Sequence, residues 1–230
     1  MVGEYEHQTQ REPVGEATAE HHLAVGFLKG NALTPKKEVV VPPYSIETLV
    51  ENHVPVIIER GLGAGADFID LDYADAGAII EDDTRFIYQK SDIIVSLCPL
   101  TIDELAQLRD NQILITPVTI NEINSDLLTF LQMKKITALS LRLVRNVDGG
   151  EFLQDILHVE GGLYAAGSAL GDYLLSLIFP LIFSDMRHAI QANPVLTQAV
   201  YCYKGILTQQ EVAAQQSMPW QDLLRLCWNG

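Results

Sequence analysis

Cysteine, positive charge and aromatic side chains are all scarce in this sequence, and it contains no long uninterrupted apolar run. Three cysteines, Cys98, Cys202 and Cys227, are scattered over 230 residues. They are too few for a disulfide framework or a paired-thiolate metal site, and they read as reduced thiols of a cytoplasmic protein that holds no metal. Basic residues number 15 against 30 acidic ones, a net charge of −15. That field repels phosphate backbones and anionic head groups, so no nucleic-acid and no membrane partner is expected. The longest strongly apolar run, "YLLSLIFPLIF", contains Pro180 and is about half of the ~20 residues a membrane span needs. It reads as a buried helix. The first twenty residues are polar and acidic without an apolar stretch, which predicts a flexible acidic tail over 1–20 and not a signal peptide.

What the sequence does have is a regular alternation. "HLAVGFL", "VPVIIER", "DIIVSL", "QILITPV" and "ITALSL" are short, β-branched and non-alternating, as strands buried on both faces are. Between them lie helical stretches: "PPYSIETLVENH", in which Ile46, Leu49 and Val50 share a face, then "TIDELAQL" and "SDLLTFLQM". Strand and helix in turn predict an α/β fold, a doubly wound and mostly parallel sheet of Rossmann-like or flavodoxin-like type, with long helices at the C-terminus. One domain is expected over 21–230, with an α/β core over 21–160 and a helical part over 161–230 that completes it. In the latter, "LYAAGSALGDYLLSLIFPLIFSDMRHAIQ" predicts a long helix bent or divided near Pro180, and "LTQQEVAAQQ" carries the Thr208/Glu211 spacing of a capping box.

The run "IIERGLGAGADF" places Gly61, Gly63 and Gly65 after a strand, where a nucleotide-binding protein would cradle a pyrophosphate. Asp67, Asp70, Asp72 and Asp75 follow at once and would repel one, and no G-K-[ST] is present. The loop therefore reads as a tight strand-to-helix connection, and no cofactor is assigned to it. Among other polar groups, His21 and His22 lack further metal ligands, His158 and Glu160 read as a polar loop, and the acidic run Glu81 to Asp83 reads as a solvated helix start. Cys98 ends a strand and reads as a small, partly buried thiol.

The segments "PPYSIETLVENHVPVIIERGLGAGADFIDLDYADAGAII", "SDIIVSLCPLTIDELAQLRDNQILIT" and "YCYKGILTQQEVAAQQ" occur in the same order as similar segments of a known family. The chain resembles the substrate (N-terminal) domain of alanine dehydrogenase and of the nicotinamide nucleotide transhydrogenase alpha subunit. The resemblance implies an oxidoreductase ancestry, and it also implies a loss. In the family a nicotinamide-binding domain is inserted near the position of Gly161 and Gly167, and this sequence leaves no room for one. The family's carboxylate-binding arginine falls on Glu38, its carbonyl-contacting lysine on the segment around Cys98, and its acid/base histidine on Thr119. A threonine hydroxyl does not titrate near neutrality and cannot relay that proton.

The expected function is accordingly a degenerate, non-catalytic member that serves as a binding or assembly module. Lys37, Thr116, Thr119 and Asn121 are the candidates for lining a residual cleft that takes a small polar ligand. The apolar helix around Leu174–Phe183, left uncovered by the deletion, is the expected seat of a homo-oligomer or hetero-oligomer. Two alternatives stand beside this reading. One is an oxidoreductase component that borrows its nicotinamide domain from another chain, with Lys37 or Arg142 as its cationic clamp. The other is a sensor of amino or keto acids.

Overall fold

The computed structural model describes residues 23–29, 40–158, 160 and 162–228. Lys37, Glu38, His21, His22 and the tail over 1–20 lie outside the described residues. Eight strands form one sheet in the order β3-β2-β1-β4-β5-β6-β7-β8. The first six, β1 (Val25–Leu28), β2 (Val56–Glu59), β3 (Ile79–Glu81), β4 (Ile93–Ser96), β5 (Ile113–Thr116) and β6 (Thr137–Ser140), are parallel. The order reverses between β1 and β4, so the expected doubly wound α/β architecture is present.

Strand residues alternate between two buried layers. Val25, Phe27, Val56, Ile58, Ile93, Val95, Ile115 and Leu139 face one layer. It is covered by α1 (Pro43–Glu51), α7 (Gly162–Phe183) and α8 (Met186–Ala192). Leu28, Ile57, Ile94, Leu114 and Ala138 face the other, under α3 (Thr84–Lys90), α4 (Ile102–Gln107), α5 (Ser125–Met133) and α10 (Gln210–Gln216). Both sheet faces are dry, which is why the strands carry apolar residues in succession. Helix starts follow local chemistry. Pro43 enters α1 with its φ already set, and Thr101 and Glu104 exchange a capping box at α4. Asn124 and Asp185 accept the Leu127 and His188 amides at α5 and α8.

The second half differs from expectation in several respects. The part beyond residue 160 is not wholly helical: β7 (Val200–Tyr203) and β8 (Ile206–Leu207) run antiparallel and extend the sheet beyond β6. Ahead of the long helix, residues 152–157 form a short one, α6 (Phe152–Leu157). Thr208 does not cap α10. Its hydroxyl donates to the Val200 carbonyl at 2.9 Å, and Gln209 occupies the cap position. Glu81 ends β3, and only Asp83 caps α3.

Helix α7 continues past Pro180 without dividing. Proline has no N–H to offer the carbonyl four residues back. Here the Asn193 side-chain amide donates to that Ser176 carbonyl instead, at 2.9 Å. Leu177, Ile178 and Leu181, all buried, hold the helix on both sides of the proline. Two glycines let α1 lie almost backbone-to-backbone on α7. A Cβ at Gly171 would stand 2.1 Å from Ser45 Oγ, and one at Gly167 would stand 3.0 Å from the Val40 carbonyl. Tyr44 closes the contact by donating to the Ser168 carbonyl at 2.9 Å. By length and composition the stretch Tyr164–Phe183, of mean hydropathy 1.6, could cross a membrane, and half of it is buried within the fold. A soluble core helix meets the same description.

Candidate functional site

In an open α/β sheet, ligands bind at the carboxyl ends of the strands, beside the point where strand order reverses. Five of the six parallel strands end there in the same way. "VIIE", "IIE", "IIVS", "ILIT" and "TALS" each place one polar residue last, so Glu59, Glu81, Ser96, Thr116 and Ser140 lie on one face of the sheet. Leu28 pairs with Ser96, and Thr116 pairs with Ser140, which makes the row continuous. Ser96, Thr116 and Ser140 are fully buried.

Most of this polarity is turned inward. Ser96 Oγ donates to the Cys98 carbonyl at 2.7 Å, and Ser140 Oγ donates to the Val118 carbonyl while accepting from the Arg142 amide at 3.1 Å. These bonds fold the strand exits back on themselves. Thr116 is the exception: its hydroxyl is buried and has no hydrogen-bond partner among the described residues. Tyr88, beneath the same layer, has a second such hydroxyl. Burial pushes its pKa up, with the charges of Glu104 and Glu59 acting in the same direction. Burial likewise raises the Glu59 carboxyl above its ordinary value, against the hydrogen bond it accepts from the Lys29 amide at 2.9 Å.

The described cations Lys29, Arg60, Arg142 and Arg145 are matched by the chain's own carboxylates. Lys29 faces Glu59 at 3.7 Å, and Arg60 is held between Asp70 and Asp82. Arg142 and Arg145 converge on Glu151 at 3.1 and 3.5 Å. The Arg142–Glu151 contact is an ion pair without hydrogen-bond alignment, and Arg142 Nε is buried without an acceptor. An incoming carboxylate therefore meets neutralised side chains. No described histidine stands among the strand exits: His53 follows α1, His158 follows α6 with its Nδ1 2.7 Å from the Gln154 carbonyl, and His188 belongs to α8.

The glycine loop is closed in the same manner. Gly61 is left-handed (φ 82°), and its amide donates to Asp70 Oδ1 at 2.7 Å, so a carboxylate of the chain occupies the place of a phosphate oxygen. Leu62–Ala66 forms a 3-10 turn. Over it close Phe68 and the fully buried Tyr73, whose hydroxyl donates to the Val41 carbonyl at 2.8 Å. The loop is a packing device.

The three described cleft candidates, Thr116, Thr119 and Asn121, make no hydrogen bond to one another. Thr116 is buried, and Thr119 is engaged through both its amide and its hydroxyl by Glu122 at 2.7 and 2.8 Å. Asn121 is exposed and accepts from Gln215 of α10 at 3.4 Å. Cys98 is half-buried at the β4 exit. Glu59, Ser96 and Ser140 were not among the sequence candidates, although each is the polar last residue of an apolar strand; Glu151 precedes α6 and carries no such signal.

The profile of the family described as "Alanine dehydrogenase/PNT, N-terminal domain" matches residues 35–155. The chain belongs to that family. Among solved structures it is similar to an L-alanine dehydrogenase, at 26% identity and a TM-score of 0.50, over 59% of this chain and 37% of the other. It is also similar to a transhydrogenase from Sinorhizobium meliloti, at 19% identity and a TM-score of 0.47, over 58% of this chain and 39% of that one. No curated protein matches. The chain thus spans well under half the length of the family members it resembles.

Among the described residues, helix α7 is fully covered on one side. Leu174, Leu177, Ile178 and Leu181 are buried in the fold, so half of the face expected to be open is already occupied. On the other side Leu175, Phe179, Pro180 and Ile182 are half-buried, and Asp172, Ser176 and Phe183 are exposed. Leu175, Ser176, Phe179 and Pro180, with α6 and the end of α8, border a groove of about 760 Å³.

Proposed function

We propose that this chain is a family member that does not carry out hydride transfer and serves as a binding and assembly module. One observation carries the reading. Residues 158–161 join α6 directly to α7, at the place where the family resemblance puts the nicotinamide-binding domain. The edge chemistry supports it: Thr119 is tied to Glu122, and Lys29, Arg60, Arg142 and Arg145 each face a carboxylate of the chain. An α-keto acid bound there would need a cation to hold its carboxylate and a titrating group to move a proton. Assembly would use the outward side of α7, with a second copy or another chain covering Leu175, Phe179 and Phe183.

The test is NADH oxidation with pyruvate or glyoxylate, run on the chain alone and with a coexpressed nicotinamide-binding partner. No turnover is expected in either case. Turnover that disappears in Lys37→Ala would overturn the reading in favour of a component that borrows its cofactor domain. A second reading, a small polar ligand at the sheet edge, is favoured by the buried and unpartnered hydroxyl of Thr116. It predicts a thermal shift with an amino or keto acid that Thr116→Val abolishes.

A further inference from the structure

The groove bordered by α6, α7 and α8 has a composition that selects its occupant. Phe152 and Ile156 of α6, Leu175, Phe179 and Pro180 of α7, and Val195 give it apolar walls. Asp172 also lines it and is the one charged residue in the 22 of α7. Among the described residues, neither lysine nor arginine lines the groove. Asp172 is exposed and, among the described residues, accepts a hydrogen bond only from the Tyr44 hydroxyl, at 3.3 Å. The Tyr44 hydroxyl has a shorter bond to the Ser168 carbonyl at 2.9 Å. One hydroxyl proton serves one acceptor well, so the carboxylate remains available.

We propose that this groove receives an amphipathic helix of another chain, apolar on one face, whose lysine or arginine pairs with Asp172. This rests on the reading of α7 as an assembly surface and names its partner. Charge disfavours a second copy. Two chains of −15 repel one another, and a copy of α7 would bring a carboxylate and no cation to Asp172. A strand-like occupant is disfavoured because the groove offers it nothing to pair with. Its walls are helices, and the one carbonyl released by Pro180 is taken by Asn193. An occupant must therefore satisfy its own backbone, as a helix in a groove does.

The experiment measures fluorescence anisotropy of labelled helical peptides of about five turns against the full chain. One peptide carries a leucine face with lysines, and the other has glutamate in place of lysine. The lysine peptide is expected to bind about fivefold more tightly than the glutamate peptide, as an exposed charge pair allows. Asp172→Asn should weaken it about fivefold and Phe179→Ser about tenfold, with circular dichroism unchanged. Glu211→Gln, on α10 in the other layer, should leave it unaltered. Equal loss in Glu211→Gln would reduce the effect to bulk charge and overturn the proposal, as would equal binding of the two peptides. Light scattering separates the proposal from the reading it rests on. A dimer dispersed by Phe179→Ser but indifferent to Asp172→Asn keeps the assembly surface and overturns the cationic helix. Attachment of the chain to neutral phospholipid vesicles that Phe179→Ser abolishes would overturn both.

Discussion

Gly63→Ala tests whether the glycine loop is a packing device. A Cβ at this position would lie 2.6 Å from Phe68 Cβ, 2.7 Å from Tyr73 Cε2 and 2.8 Å from the Phe68 carbonyl oxygen. None of these neighbours can yield cheaply. The carbonyl is backbone, and Tyr73 is fully buried and anchored through its hydroxyl to Val41. Forcing a methyl group into such a contact costs about 1–3 kcal/mol. If Tyr73 swings away, a further ~1 kcal/mol goes with its hydrogen bond. Against this, alanine restricts the unfolded chain and returns roughly 0.4–1 kcal/mol, since Gly63 has no positive φ to forbid it. The balance is a destabilisation of about 2 kcal/mol, which lowers the urea midpoint by roughly 1 M at the slopes usual for such chains.

Gly149→Ala is the matched control. It has φ 87° and no atom within 4 Å of a Cβ, so its cost is conformational alone, about 1–2 kcal/mol. The two variants separate steric from backbone effects by urea unfolding followed with tryptophan fluorescence. A Gly63→Ala midpoint at or above that of the unsubstituted chain would refute the reasoning. The loop would then have room to spare, and a phosphate cradle would return as a candidate.

Three further outcomes are expected. Burial pushes the Cys202 thiol up to about 12, so iodoacetamide should label Cys98 and Cys227 in the native chain and Cys202 only after unfolding, read by mass spectrometry of peptides. Glu59 has a raised folded pKa, so its contribution is fully present below the unfolded value and is lost as pH rises through the folded one. Measured by urea unfolding at about pH 4 and about pH 7, Glu59→Gln should therefore gain on the unsubstituted chain at the higher pH, and a gain in the opposite sense would contradict the burial argument. Asn193→Ala should cost about 1 kcal/mol, and about half of that in a Pro180→Ala background, where the restored amide takes over the Ser176 carbonyl; equal costs in both backgrounds would deny the substitution of one donor for the other.

The parallel half of the fold was legible because each strand is short, apolar and bounded by helix signals. Where the signal was weak, the strand was missed. Three residues of β3 sit at the sheet edge with Ile79 exposed, which blurs the buried pattern. Strands β7 and β8 owe their existence to pairing with β6, more than sixty residues away, and no local pattern announces that. The Thr208/Glu211 spacing misled because a nearer acceptor, the Val200 carbonyl, takes the hydroxyl. Helix α7 is apolar all round, so its sequence does not tell which side is covered; Gly167 and Gly171 decide it by admitting α1. At the candidate site the residue types were readable but their use was not. That Arg142 and Arg145 share Glu151, or that Thr119 is bound by Glu122, depends on how the exits fold.

The matched charges at the sheet edge bear on which ligand could bind there. An anionic substrate would have to displace Glu59, Asp70 or Glu151 from a cation, and each of these is tethered to the same chain. A tethered partner acts at an effective concentration of the order of millimolar or more, so a free carboxylate starts at that disadvantage before any of its own contacts count. A neutral polar ligand meets no such competitor at Thr116, whose hydroxyl is already desolvated and unpaired. Nor does a macromolecule at α7, where Asp172 is exposed and no lysine or arginine among the described residues lines the groove. On the proposed reading, the matched charges disfavour an anionic substrate at the described strand ends, and the groove on α7 is where assembly is to be tested.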